Sequence, residues 1–140
     1  IVVENCDFNI EINQLQLNDP IITGSNLNMQ LNEYQTSAKK IFNKIDYLFP
    51  EFQNARLENN VLKLKEIMAE MNKIETEFTQ FSFDFIENNK DSYISAMILR
   101  DLLKTPNIDS LKVDKLYQEF PEYIKQSSDS KVIANYLNSP

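Results

Sequence analysis

The chain has 140 residues, 42% hydrophobic and 11% aromatic, enough apolar material for one domain with a real core. Its net charge of −7 repels phosphate backbones, and no basic block offsets it, which argues against nucleic-acid binding. With no His, one Cys and one Gly, it lacks the residues for imidazole catalysis, a dithiol pair or a glycine-rich phosphate loop.

Residues 1–12, IVVENCDFNIEI, open with a β-branched run. Phe8, Ile10 and Ile12 then alternate with Asn9 and Glu11, the period of a half-buried strand. Asn5-Cys6 occupies the position of a hairpin turn. Two strands alone are marginal in water, and no later stretch reads strongly as strand. The expectation is therefore an orphaned edge and a homodimer, or strand exchange, through Ile1 to Ile12. The opening does not read as a signal peptide, and its lack of an initiator Met suggests a fragment or a processed chain.

Residues 13–26 read as a connector. Asp19-Pro20 signals a turn, Ile21-Ile22-Thr23 is a short strand candidate, and Gly24 precedes Ser25, a good N-cap. Leu27, Leu31, Tyr34, Ala38, Ile41, Ile45 and Leu48 then recur in steps of four and three. This predicts a long amphipathic helix ending near Phe49, ahead of Pro50.

A second long helix is predicted over residues 55–89, a stretch free of Pro and Gly. Its apolar stripe runs Leu57, Val61, Leu64, Met68, Met71, Ile74, Phe78, Phe81, Phe85. At ~1.5 Å per residue it spans on the order of 50 Å. With a connection at 50–54 the two helices should form an antiparallel hairpin. Glu75 and Ser82 interrupt the heptad, which favours a globular domain over a coiled coil, with crossing partners from the C-terminal third. That third reads as shorter helices. Asp91 or Ser92 caps one carrying Tyr93, Ala96, Met97, Leu99, Leu102 and Leu103. Ser110 or Asp109 caps the next, with Leu111, Leu116, Tyr117 and Phe120 inward. Pro121 starts a short segment over 122–126, and Asp129 or Ser130 caps a last helix with Val132, Ile133, Tyr136 and Leu137 apolar. The fold class is mainly α: a long-helix hairpin, shorter C-terminal helices and a short N-terminal β-hairpin. Residues 1–24 form a β segment with connector, and residues 25–140 a helical domain.

No constellation points to catalysis, a cofactor or a metal. Cys6 has no cationic neighbour to activate it and reads as a turn residue. Glu66 and Glu70 lie one helical turn apart without a His beside them, so they read as a solvated face. Asp91, Asp109, Asp114 and Asp129 are scattered and start no calcium loop. Phe78, Phe81 and Phe85 read as core, while Phe83 points the other way, either covered by the last helices or exposed as a binding patch. Tyr93, Tyr117, Tyr123 and Tyr136 read as core-rim residues. No apolar run reaches the length of a membrane span.

One resemblance covers nearly the whole chain. Phe85-Ile86-x-x-Asn89-x-Asp91-Ser92, Ala96, Leu102-Leu103, Val113-x-x-Leu116-Tyr117-x-x-Phe120, 127–131 and Ile133 resemble the linker region of bacterial thioredoxin-like proteins of the TlpA/ResA type. Residues 1–8 look like that family's strand–turn–strand, with Glu4 and Phe8 matching and Cys6 where Gly is usual. Thr23-Gly24-Ser25-x-x-Asn28 resembles its T-G-S-x-x-N lead-in to the helices. The resemblance implies a non-catalytic N-terminal module, of periplasmic or cell-envelope origin and often lipoprotein-anchored in the family. Its partner would be a thioredoxin domain bearing W-C-x-x-C, which this chain lacks. The alternative is a stand-alone helical interaction domain that dimerises through its N-terminal strands.

Overall fold

The computed structural model describes Val2, Cys6, Asp7 and residues 9–12 and 21–139. The fold is mainly α. Two strands, β1 (Asn9–Glu11) and β2 (Ile21–Thr23), precede two long helices, α1 (Asn26–Leu57) and α2 (Val61–Asn88). Four shorter helices follow: α3 (Tyr93–Leu102), α4 (Ser110–Glu119), α5 (Glu122–Lys125) and α6 (Ser128–Leu137).

The β-branched stretch Ile21-Ile22-Thr23 does become a strand, and it supplies the partner that β1 needs. The two run antiparallel with Asn9 opposite Thr23, Ile10 opposite Ile22 and Glu11 opposite Ile21. The expected half-burial of β1 fails, because Ile10 and Ile12 are both exposed. Alternation marks a strand, but only a packed layer buries one of its faces. The predicted turn at Asn5-Cys6 falls largely outside the described residues.

Ser25 starts α1 by accepting the Asn28 amide at 3.1 Å. Gly24 just before it has φ 89°, a value that suits glycine. The helix then runs through Pro50 to Leu57, eight residues past the expected stop. Pro50 removes one backbone donor, yet the helix continues past it and buries Ala55 beyond it. The break falls instead at Asn59, whose φ of 52° is a left-handed value Asn tolerates. Asn60 then caps α2, accepting the Lys63 amide at 3.1 Å.

α1 and α2 pack together along their length. The expected α1 stripe from Leu27 to Leu48 is half-buried or buried throughout. On α2 the row facing α1 is shifted. Ile67 and Ile74 are buried, with Leu64, Met71, Phe78, Phe81 and Phe85 half-buried along the same row. Leu57, Val61 and Met68 of the predicted stripe are exposed instead. Steps of three and four fit two neighbouring rows equally well, and the sequence pattern merged them.

The core sits at one end of the hairpin. Phe83 and Ile86 of α2 meet Ile94, Leu99 and Leu102 of α3, Val113 and Leu116 of α4, and Phe120, Ile124 and Ile133 beyond. Leu111, expected inward, is 84% exposed, and Val113 takes its place. Ser92, Asp109 and Ser127 are the N-caps of α3, α4 and α6. For α6 this corrects the expected Asp129 or Ser130. Ser130 lies in the first turn, where its amide donates to Ser127 Oγ at 3.2 Å. The short helix α5 begins after Pro121 and ends at Lys125, one residue before the expected bound.

Candidate interaction surface

Three features of this architecture bear on function: a joint at the start of α1, an aromatic seam along the hairpin, and an apolar face on the hairpin's outer half.

The joint is built on Asn28, which is 2% exposed. Its Oδ1 accepts the Val2 amide at 2.8 Å, and its Nδ2 donates to the Val2 carbonyl at 2.5 Å. The same Nδ2 donates to Ser25 Oγ at 2.7 Å. A carboxamide carries one acceptor and two donors on one plane, so it can pair with a backbone much as a neighbouring strand does. Ser25 thus caps α1 and steadies the amide that ties the N-terminal segment to it. Deeper in the fold, Ser92 Oγ donates to Gln30 Oε1 at 2.6 Å, fixing the start of α3 to α1.

The seam runs between Tyr34 and Phe42 on α1 and the phenylalanines of α2. Tyr34 stacks on Phe81 at 5.5 Å between centroids and meets Phe85 at 5.2 Å. Phe42 meets Phe78 at 4.5 Å. Phe78, Phe81 and Phe85 are half-buried rather than fully core, and Phe78 and Phe85 pack against the edge of the core. Phe83, on the other side, is the buried member of the cluster, with Lys112 Nζ 4.7 Å above its ring. Ser82, which breaks the heptad, is buried against Tyr34, with 2.8 Å between the hydroxyls, and donates to the Phe78 carbonyl. Burial pushes the Tyr34 hydroxyl above its ordinary pKa, and the Ser82 contact offsets part of that.

Asp109 caps α4, and several of the other carboxylates pair with neighbouring side chains. Asp129 takes a 2.5 Å hydrogen bond from Arg100 Nη1. Burial alone would lower the Arg100 pKa, but Asp101 and Asp129 more than offset it and raise it. Glu119 is held below its ordinary pKa by a hydrogen bond from Lys90, whose own value rises. Asp114 accepts from Gln118 at 3.1 Å. The Asp91 carbonyl accepts the Tyr123 hydroxyl at 2.9 Å. Glu70 pairs with Lys73 at 3.2 Å on an exposed face. Cys6 is exposed. Of the four tyrosines expected at the core rim, Tyr117 packs against the core, whereas Tyr93, Tyr123 and Tyr136 are exposed, and Tyr93 meets Tyr123 edge-on at 6.0 Å. Among the described residues no group of three or more His, Cys, Asp or Glu could hold a metal. No described helix is long and apolar enough to cross a membrane.

The hairpin has two unlike sides. One is charged, with Lys44 on Glu77 at 2.6 Å and Lys63 on Glu51 at 3.2 Å. The other is apolar. At the base α3–α6 cover it through Leu31 of α1 and Ile86 of α2. Along the same rows, at helical spacings, it continues outward as Phe42 and Phe49 on α1 and Val61 and Met68 on α2. Those four side chains are 41–62% exposed. Where the covered and uncovered parts meet, a groove of about 690 Å³ lies between α2 and residues 105–109, with Glu75 and Asp109 among its lining residues. Sequence reading missed this face because it had placed Val61 and Met68 inward. Comparison with protein-family models, curated proteins and solved structures gives no match.

Proposed function

We propose that this chain is a non-catalytic helical module of an extracytoplasmic thiol–disulfide oxidoreductase of the thioredoxin-like type, carrying and orienting the redox domain or binding its partners. The resemblance across residues 1–133 supports the family. One observation carries the reading of the module as structural. Ser25 and Asn28, from one of the resembling motifs, join the N-terminal segment to α1 through Val2. They serve assembly, and a single cysteine with no histidine leaves this chain no dithiol chemistry of its own. The test has two parts. The encoding gene is read beyond Pro140 for a domain with W-C-x-x-C, and insulin reduction is compared between this chain and the longer product. The expected result is turnover by the longer product alone. Turnover by this chain overturns the non-catalytic role, and a gene without the motif overturns the oxidoreductase reading.

The second reading is a stand-alone helical interaction domain. The exposed apolar face on the outer half of the hairpin favours it.

A further inference from the structure

From the uncovered face we propose that two copies of this chain associate through the outer halves of their hairpins, packed antiparallel about a two-fold axis near Met68. The face consists of Phe42, Phe49, Val61 and Met68, a continuation of the rows that α3–α6 bury at the base. Helices bury an apolar stripe against other helices. Along this half the hairpin provides only one such contact.

Charge selects the occupant. Between residues 39 and 65 there are six Lys and Arg against three Asp and Glu, a balance of +3; setting aside Lys44 and Lys63, which pair with Glu77 and Glu51 on the charged side, the stretch still holds four against two. The whole chain has 14 against 21, so the remainder has 8 against 18, a balance of −10. A basic arm on an acidic body is complementary to another copy of itself placed head to tail. The two-fold arrangement brings each arm toward the other body and closes the assembly at two. Parallel packing would set arm on arm and body on body, like charge on like.

The axis at Met68 sets the register. With the axis at Met68, each residue of α2 lies level with one equally far on the other side of Met68. Val61 of one copy then sits level with Glu75 of the other. The tip at Asn59-Asn60 meets the groove bounded by residues 105–109, and Lys65, level with Met71, comes within about one turn of Glu75. The area is adequate. Roughly half-exposed side chains of this size present about 90 Å² each, hence about 700 Å² of apolar surface over both copies. That matches the apolar share of an interface of about 1,200 Å², the lower end for specific association.

Light scattering and sedimentation from about 1 μM to about 500 μM test this, at low and high salt. A monomer–dimer equilibrium that weakens with salt is expected. Phe49→Glu with Met68→Glu should weaken it at least tenfold while helicity by circular dichroism stays unchanged. Leu111→Glu, on the exposed surface of α4, should leave it unaltered. In a Cys6→Ser background, Met68→Cys should cross-link two chains under mild oxidation, because the residue lies at the axis, and Leu111→Cys should not. A monomer at every concentration overturns the proposal. So does a dimer that Phe49→Glu with Met68→Glu leaves intact, or one that Ile10→Lys with Ile12→Lys dissociates instead, which would put the interface on the strands.

Discussion

Asn28→Ala isolates the joint between the N-terminal segment and α1. The change removes two hydrogen bonds to the Val2 backbone and one to Ser25 Oγ. A hydrogen bond contributes roughly 0.5–1.5 kcal/mol net, and a buried group left unpaired costs about 1–3 kcal/mol. The Val2 amide and carbonyl can turn to water if the segment lifts away, so the loss should be about 2–4 kcal/mol rather than the full sum. For a chain of this size that corresponds to a fall in Tm of about 6–14 °C. Urea unfolding followed by circular dichroism reads the loss, and exchange of the Val2 amide by NMR reads the release. Asn28→Asp sharpens the test. Its carboxylate can accept from the Val2 amide but cannot donate to the Val2 carbonyl, so two oxygens face each other. The folded state then favours the protonated acid, and its pKa rises above the unfolded value. The folded chain binds more protons through that window, so stability falls as pH rises and recovers on acidification. A loss below about 0.5 kcal/mol for Asn28→Ala, or an Asn28→Asp variant whose stability ignores pH, would refute the pairing.

Phe83→Ala should cost about 3–5 kcal/mol, since the ring is buried in the core beneath Lys112, whereas Phe81→Ala at the half-buried seam should cost less. Pro50→Ala should stabilise the chain by up to about 3 kcal/mol in urea titrations, because it returns a donor to the interior of α1. Glu119 contributes stability above its unfolded pKa that is lost as pH falls through its lower folded value. Glu119→Gln should therefore flatten the acid limb of the stability profile, and added salt should erase the difference, because the pair lies at the surface.

The N-caps of α1, α3 and α4, the long-helix hairpin and the C-terminal helices were legible because each rests on local chemistry. Ser25 and Ser92 hold their helix starts with their own side chains, and periodicity marks the faces. What was not legible depends on partners. Pro50 is a strong local stop signal, yet α1 continues past it and buries Ala55 beyond it. Val61 and Met68 fit the helical period as well as Ile67 does, and only the position of α1 decides which row turns inward. Ile10 alternates like a half-buried strand, but among the described residues the sheet has two strands and Ile10 stays exposed. The joint on Asn28 was visible only as a motif, since no propensity announces that a carboxamide will pair with a backbone 26 residues away.

The same geometry divides the molecule by stability. At the base, six helical elements share one core, and Ile86, Leu99, Val113, Ile124 and Ile133 are fully buried. Along the arm only Ala38, Ala55, Ile67 and Ile74 are buried, and an isolated pair of helices has one seam to hold it. Local opening is easiest where few apolar contacts close behind it. Amides of residues 61–71 should therefore exchange well before those of α3 in dilute chain, although both lie in regular helix. Raising the concentration into the range where the arms associate should slow the first set and leave the second unchanged. The protected set should coincide with the rows carrying Phe49 and Met68. Protection of the arm equal to that of α3 at the lowest concentration would mean that two helices suffice, and the asymmetry argued from burial would fall.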